Sequence, residues 1–305
     1  MKGLFLDAVD DLAEVCQRVT RPGDPPLAIN EQAEVSAADL PRLTAGYDFV
    51  FNDHSQMPTD AMRACAGLKH VIFLGTGARS YMNPEELADI GITVHTIKGY
   101  GDTAVAEHSI ALIWAAARGI AAMDTGMRAG QWFRTEGMEL TGKTIGLLGY
   151  GGIGAEVARI AHGTGMKVQA WNRSPKTEPH VTFTDLDTVL ATSDILSIHL
   201  LLDDETRGFL DKDRLARIKK GAILVNTARG AIVDEAAMIE ALKSGHLRHA
   251  ALDVFATEPL PAGHALTSLP NVTLSAHSAF RTPEASEKLL RMALDIACTL
   301  PSTAA

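Results

Sequence analysis

The sequence is poor in aromatic residues, which make up 5% of it, so a core built from it must rest mainly on aliphatic side chains. It has three cysteines, Cys16, Cys65 and Cys298. They are odd in number and widely spaced, which excludes a disulfide framework or a Cys-based metal site and suits a reducing compartment. Basic residues are outnumbered, 28 against 37 acidic, for a net charge of −9. With no basic block anywhere, nucleic acid and anionic membrane surfaces are excluded as partners. Long apolar runs are missing too: the most apolar helical stretch, Ile110 to Ala117, is cut off by Arg118 and is too short to span a bilayer. The opening Met-Lys-Gly-Leu-Phe-Leu-Asp meets acids at Asp7 and Asp10 before a signal-like apolar region can form, so no targeting segment is expected and the location is expected to be cytoplasmic. Internal repeats and low-complexity tracts are absent.

What the sequence does contain is organised around residues 144–174. Ile145, Leu147 and Leu148 form the short apolar run of a buried parallel strand. A helical pattern follows, with Ile153, Val157 and Ile160 on one face, and then a second strand from Lys167 to Trp171. At the turn, Gly149, Gly151 and Gly154 stand at the spacing G-x-G-x-x-G. In a strand-to-helix context this predicts a dinucleotide site, with the pyrophosphate on the helix N-terminus. Gly152 and Ile153 lie between the last two glycines in the same phosphate-facing turn and are counted among the cofactor-binding residues.

The second strand ends Trp171-Asn172-Arg173-Ser174, where such sites usually carry an acid for the adenosine ribose. An acid would repel a 2′-phosphate, whereas Arg173 and Ser174 are able to bind one. With Asn172 in the acid's place, NADP is expected to be preferred, with NAD possible.

At 305 residues the chain is long enough for two domains with cores of their own. Before the glycine turn, strands are expected at Gly3–Leu6, Tyr47–Phe51, His70–Leu74 and Ile92–His95. Helices are expected at Val9–Val19, Ala38–Leu43, Thr59–Ala66 and Pro84–Ile90. Arg21 to Pro26, with three prolines, reads as a surface loop. A long helix from Thr103 to Arg118 joins the halves and leads through a polar stretch, Gly126 to Gly142, into the glycine turn. After it, strands are expected at Ile195–His199, Ala222–Asn226, Ala250–Val254 and Val272–Leu274, and helices at Asp185–Ala191, Asp211–Ile218 and Asp234–Ser244. Such βα alternation predicts parallel sheets covered on both faces. The last helix, Pro283–Thr299, is expected to cross back to the first domain, giving a discontinuous domain of 1–100 plus 283–305 and a dinucleotide domain of 101–282.

Three further stretches follow the glycine turn in order: Asn226-Thr227-Ala228-Arg229-Gly230, Asp253-Val254-Phe255-Ala256-Thr257-Glu258-Pro259 and Ser275-Ala276-His277. Together with the run from Leu68 to Gly77 and with Val105-Ala106-Glu107-His108, they make a pattern that strongly resembles the D-isomer-specific 2-hydroxyacid dehydrogenases over nearly the whole chain. The resemblance implies an α/β fold of two doubly wound parallel-sheet domains, a flavodoxin-like substrate domain and a Rossmann dinucleotide-binding domain. It implies interconversion of a small 2-keto acid and its D-2-hydroxy acid by hydride transfer, in the manner of a glyoxylate or hydroxypyruvate reductase or a D-lactate-type enzyme. A phosphoglycerate dehydrogenase is an alternative within the family, and a dinucleotide sensor without turnover is one outside enzymes.

Carried over residue by residue, the resemblance makes Arg229, Glu258 and His277 the catalytic set. The chemistry agrees: an Arg fork grips a carboxylate and polarises the adjacent carbonyl, and a His titrating near neutrality passes the proton. A Glu on the other ring nitrogen orients the imidazole. Thr76 and Gly77 join Arg229 and His277 as substrate contacts, while Val105, His199, Thr227 and Asp253 line the cofactor, Asp253 at the nicotinamide carboxamide. A homodimer through the Thr103–Arg118 helix is implied. His246 and His249 read as surface residues, and no metal site is expected.

The chain departs from the commonest family pattern in four places. Ser278-Ala279-Phe280-Arg281 follows the histidine, Leu201 stands where Pro is usual, Arg79 replaces an Asp, and Asn172 replaces the ribose acid. The added arginines raise the expectation of a doubly anionic substrate.

Overall fold

A computed structural model describes residues 1–9, 11–32 and 35–301; Asp10, within the first expected helix of Val9–Val19, lies outside the described residues. The chain divides into two compact units, one of Met1–Gly101 with Arg281–Ala305 and one of Asp102–Phe280.

In the first unit the elements are β1 (Gly3–Phe5), α1 (Leu12–Val19), β2 (Leu27–Ile29), α2 (Leu40–Leu43), β3 (Phe49–Asn52), α3 (Thr59–Met62), β4 (His70–Phe73), α4 (Pro84–Asp89) and β5 (Thr93–Thr96). The strands pair in parallel in the order β2-β1-β3-β4-β5. Three phenylalanines cluster in this core: Phe5, Phe49 and Phe51 are fully buried, with ring centroids 5.9 Å apart for Phe5 and Phe51 and 5.7 Å for Phe49 and Phe51. A C-terminal helix, Pro283–Thr299, packs on the same cluster through Leu289, Leu290, Ala293 and Leu294, beside Leu12, Val15 and Cys16 of α1. It starts cleanly because Thr282 accepts a hydrogen bond from the Ala285 amide and Pro283 occupies the first turn.

The order of this sheet reverses direction between β1 and β3, the point at which open α/β sheets commonly take a ligand. Asp7, fully buried just after β1, occupies it. Its carboxylate accepts from the backbone amides of Asp53 (2.9 Å), His54 (2.9 Å) and Ser55 (2.8 Å) and from the Ser55 hydroxyl (2.7 Å).

The second unit begins with α5 (Asp102–Arg118) and α6 (Ile120–Arg128). It continues through β6 (Thr144–Leu148), α7 (Gly152–Gly163), β7 (Lys167–Trp171), β8 (Val181–Phe183), α8 (Leu186–Thr192), β9 (Ile195–Ile198), α9 (Lys212–Arg217), β10 (Ala222–Asn226), α10 (Glu235–Lys243), β11 (Leu247–Leu252) and β12 (Val272–Leu274). All seven strands pair in parallel, in the order β12-β11-β10-β9-β6-β7-β8. Both faces are covered, which is why the central strands β6, β9 and β10 read as short apolar runs rather than alternating. Ile145 and Leu147 of β6 and Ile223 and Val225 of β10 pack with Ile110 and Ile113 of α5 and Val157 of α7. Leu148 and Leu224 point the other way, toward Leu190, Leu215 and Met238. Asp185, Asp211 and Asp234 cap α8, α9 and α10 by accepting from the amides of Thr188, Arg214 and Ala237.

Three elements go beyond the sequence expectation. β2 and β8 are three-residue edge strands at the ends of their sheets, half-exposed and so without the apolar run that marks the central strands. α6 forms after a left-handed turn at Gly119, and only its last residues, from Gly126, overlap the stretch read as a polar linker.

Candidate active site and dinucleotide turn

Gly149 directly follows β6; its φ of +94° places it in the left-handed region, and a Cβ there would lie 2.6 Å from the His199 carbonyl oxygen. A Cβ at Gly154 would stand 2.7 Å from the Gly149 carbonyl oxygen, so both positions require glycine for the strand and helix to approach this closely. Gly151 is the N-cap of α7 and has open space where a side chain would project. Gly152 and Ile153 form the first turn of α7, whose amides point out of the sheet edge. The Asp102 carboxylate, from the first turn of α5, lies against Gly152; this acid at the positive end of α7 was not singled out in the sequence.

Asn172 does not stand free at the end of β7. Its Oδ1 accepts from the Tyr150 amide (3.0 Å) and its Nδ2 donates to the Ser174 carbonyl (2.8 Å), tying the glycine turn to the β7 loop. Beside it Arg173 is exposed and pairs through Nη1 with Oε2 of Glu205 at 2.7 Å. The sequence reading placed no acid within reach of this strand end; the fold brings Glu205 there from the loop after β9. His199 donates or accepts at Ser197 Oγ (2.9 Å), and burial pushes its imidazole down to about 4, so it is neutral at physiological pH.

The catalytic candidates are assembled by two strand ends. Asn226, the last residue of β10, is buried; it accepts from the Ala228 amide (3.0 Å) and donates to the Arg229 carbonyl (2.9 Å), folding the chain sharply so that Arg229 leaves the sheet edge. One Arg229 guanidinium nitrogen donates to the Ala228 carbonyl (2.6 Å). At the next strand end, Asp253 is fully buried, and its amide donates to the Asn226 carbonyl (3.0 Å). Asp253 Oδ1 accepts from Ser275 Oγ (2.6 Å) and the Ser278 amide (3.0 Å), and Oδ2 from the Ala279 amide (2.9 Å). Burial would raise this carboxyl, but donors from His108, Ser275 and the two amides outweigh it and hold it at about 2. The carboxylate assigned to the nicotinamide carboxamide is therefore engaged with the loop that carries His277.

His277 itself has φ +49°, uncommon for a non-glycine residue, and its amide donates to the Asp253 carbonyl (2.7 Å). Its Nδ1 lies 2.6 Å from Oε2 of Glu258, whose Oε1 accepts from the Phe255 amide (2.8 Å). Burial alone would raise the Glu258 carboxyl; the His277 hydrogen bond and charge, the Phe255 amide and the Arg229 charge together lower it below its ordinary value. Glu258 thus feels both His277 and Arg229. The Phe280 ring stands edge-on to the imidazole, 6.2 Å between centroids.

Thr227 and Val105 are linked through Ser109, whose Oγ is 2.8 Å from Thr227 Oγ1 and donates to the Val105 carbonyl at 2.7 Å. Within the first unit, Thr76 is exposed at the carboxyl end of β4 and Gly77 caps the short helix Ala78–Ser80. Arg79 forms an ion pair with Glu85, and Arg281 with Asp11. The surface reading of His246 and His249 is corrected: His249 is buried with Nε2 at 2.9 Å from Thr273 Oγ1, and His246 Nε2 is buried without a hydrogen-bond partner among the described residues. His249 is drawn inward because it lies within the largely buried β11, on the same face as Leu247. Ser109 and Glu205 were missed in the sequence, and His108 and Ser275, quoted there within motif stretches, were given no role; all are ordinary polar residues with a partner distant along the chain.

The family model for the NAD binding domain of D-isomer specific 2-hydroxyacid dehydrogenases matches residues 110–279. A glyoxylate reductase of Aeropyrum pernix is 43% identical over 68% of this chain, the match spanning 65% of that protein's length. A glyoxylate reductase of Thermofilum pendens is 39% identical over 78% of this chain and 73% of its own. The solved structure of an acyclic imino acid reductase in complex with NADPH and D-Arg superposes with a TM-score of 0.83 at 27% identity, covering 95% of this chain and 94% of that one. With the glycine turn, the seven-stranded sheet and the Arg229, Glu258 and His277 arrangement on one unit, these matches show that the chain belongs to the D-isomer specific 2-hydroxyacid dehydrogenase family.

Proposed function

We propose that this chain is a nicotinamide-dependent oxidoreductase that interconverts a small 2-keto acid, glyoxylate or hydroxypyruvate in type, and its D-2-hydroxy acid. The observation that carries this reading is the 2.6 Å contact of His277 Nδ1 with Glu258 Oε2, within the field of Arg229. A carboxylate only accepts, so the ring proton on that side sits on Nδ1, and Nε2 is left to exchange a proton with substrate. Arg229 takes the substrate carboxylate and polarises the adjacent carbonyl with its planar donors. In reduction the imidazolium Nε2–H protonates the carbonyl oxygen; in oxidation neutral Nε2 takes the hydroxyl proton, and Glu258 balances the charge on the ring. The nicotinamide, when bound, supplies or accepts the hydride.

The dinucleotide fits the turn at Gly149, Gly151 and Gly154, where close packing demands glycine at two positions and open space is left at the third. Gly152, Ile153 and the start of α7 would hold the phosphates, while Val105, His199, Thr227 and Asp253 would flank the nicotinamide end. Preference for NADPH is supported by Arg173, by the absence of an acid on β7 itself and by the relative solved with NADPH; Glu205 opposes it by pairing with Arg173. The Arg79 and Arg281 guanidiniums each pair with an exposed carboxylate of their own unit, Glu85 and Asp11, so neither assigns a second anionic group to the substrate; a monoanionic 2-keto acid is the substrate proposed, and Thr76 and Gly77 remain proposed substrate contacts. Homodimerisation through α5 and its surroundings is supported by apolar side chains exposed on and after α6: Ile120, Met127, Trp132 and Phe133. Free cysteines throughout suit the cytoplasm.

Loss of NADPH and NADH absorbance with glyoxylate, hydroxypyruvate, pyruvate and 3-phosphohydroxypyruvate tests the reading. Turnover is expected with the first two. Tight dinucleotide binding with no turnover across the panel would replace it with a sensor role, and turnover confined to the phosphorylated acid would replace the substrate class.

A further inference from the structure

His108 and Ser109 are neighbours on α5, and each reaches a different one of the two loops that carry the proposed catalytic groups. His108 Nε2 lies 2.9 Å from Ser275 Oγ, and Ser109 Oγ lies 2.8 Å from Thr227 Oγ1. The protons on both contacts can be assigned. Ser275 has one hydroxyl proton and gives it to Asp253 Oδ1, so His108 must donate, from Nε2, to the serine oxygen. Ser109 gives its one proton to the Val105 carbonyl, so Thr227 must donate to Ser109.

The first chain runs His108 to Ser275 to Asp253, with His108 Nε2 also 3.5 Å from Asp253 Oδ1. Asp253 in turn gathers the amides of His277, on its carbonyl, and of Ser278 and Ala279, on its carboxylate. These bonds hold His277 in a left-handed backbone conformation that a non-glycine residue adopts only when its surroundings impose it. The second chain ends at Thr227, two residues before Arg229 and directly after Asn226, which shapes the arginine turn.

We infer that α5 is a positioning element for both loops. His108 sets the His277 loop through Ser275 and Asp253, and Ser109 sets the Arg229 loop through Thr227. The inference rests on the roles of His277 and Arg229 proposed above. Neither His108 nor Ser109 touches substrate in this scheme; each acts through another residue, so the two should leave different kinetic signatures. Misplacing the proton-transfer group slows turnover, whereas misplacing the carboxylate-binding group weakens substrate binding.

The test uses the full chain with glyoxylate and both dinucleotides, measuring kcat, KM, dinucleotide affinity and thermal midpoint for His108→Ala, His108→Gln, Ser109→Ala and Ser275→Ala. His108→Ala is expected to lower kcat about 10- to 100-fold, the scale of a misplacement of about an ångström, with dinucleotide affinity within about twofold. His108→Gln, whose amide is also a donor, should recover most of it. Ser275→Ala, which cuts the same chain, should reproduce the loss even if His108→Ala does not fold. Ser109→Ala is expected to raise KM for glyoxylate about three- to tenfold, with a smaller change in kcat. The inference is overturned if the midpoint falls while kcat and KM hold, if Gln rescues no better than Ala, or if the two positions give the same signature. His277→Ala and Arg229→Ala run alongside: if these remain active the proposed catalytic roles fail, and if they are inactive while the α5 variants behave like the parent, only the inference fails.

Discussion

Nδ1 of His277 and Oε2 of Glu258 stand 2.6 Å apart, each about one-third exposed, in the loops that follow the ends of β11 and β12. That contact orients the ring and leaves Nε2 as the only imidazole atom available to a substrate. His277→Ala should therefore lower kcat for glyoxylate reduction by about 10²–10⁴ while dinucleotide affinity, read by fluorescence titration, stays within about twofold. Glu258→Gln should lower kcat less, because the neutral amide oxygen can still accept from Nδ1 but no longer balances the charge on the ring. Equal losses in turnover and dinucleotide affinity for His277→Ala would contradict its role as proton donor.

Arg173 and Glu205 form an exposed pair at 2.7 Å, and such pairs are weak enough for a phosphate to displace. Arg173→Ala is expected to reduce the ratio of kcat/KM for NADPH over NADH about tenfold, one charge-assisted contact's worth. Glu205→Gln should raise the same ratio. An unchanged ratio in both variants would remove the 2′-phosphate from this corner of the fold.

Trp132 is 82% exposed and sits close in sequence to Met127, at 50%, a concentration of apolar surface that suits association. Light scattering of the parent should give twice the mass of one chain, and Trp132→Glu should shift it toward a single chain at micromolar concentration. A parent that runs as one chain at every concentration would sink the dimer.

Burial pushes both His199 and His249 down to about 4 from 6.5, the latter with a contribution from the Arg248 charge. Both stay neutral in the fold while their unfolded counterparts take up protons below about pH 6.5, so they cost nothing above that pH. Stability should then fall between pH 6.5 and 4, by up to about 3 kcal/mol for each group. His249→Gln, which can still bond Thr273, should shrink the difference in urea unfolding free energy between pH 7 and 4.5 by about 2 kcal/mol; an unaltered difference would show that His249 titrates normally.

The parts of the site legible in the sequence are those whose cause is local. The glycine turn is one, since Gly149 and Gly154 are demanded by a turn and a helix start five residues apart. The starts of α8, α9 and α10 are others, since the helices expected from Asp185, Asp211 and Asp234 are capped by those aspartates. Illegible were the contacts made by tertiary closure: His108 meets Ser275 across 167 residues and Arg173 meets Glu205 across 32. Asp253 shows the intermediate case. Its motif marked it as functional, but only the burial of its carboxylate and the convergence of two amides and a hydroxyl on it reveal that it holds a loop. The edge strands β2 and β8 escaped notice for a different reason: half-exposed strands of three residues have no periodicity to read.

Asp7 closes the β1/β3 reversal of the first sheet with its own carboxylate, so this unit carries a built-in counterfeit of the anion such a crevice would otherwise capture. Excising the side chain in Asp7→Gly would leave the Asp53 and His54 amides and the Ser55 hydroxyl without an acceptor, while the Ser55 amide keeps Asn52 Oδ1 at 3.1 Å, a penalty of roughly 2–4 kcal/mol, around a hole the size of a small carboxylate. Formate added in millimolar amounts should then refill the hole and raise the thermal midpoint of the variant but not of the parent, turning a structural anchor into a receptor for an exogenous ion.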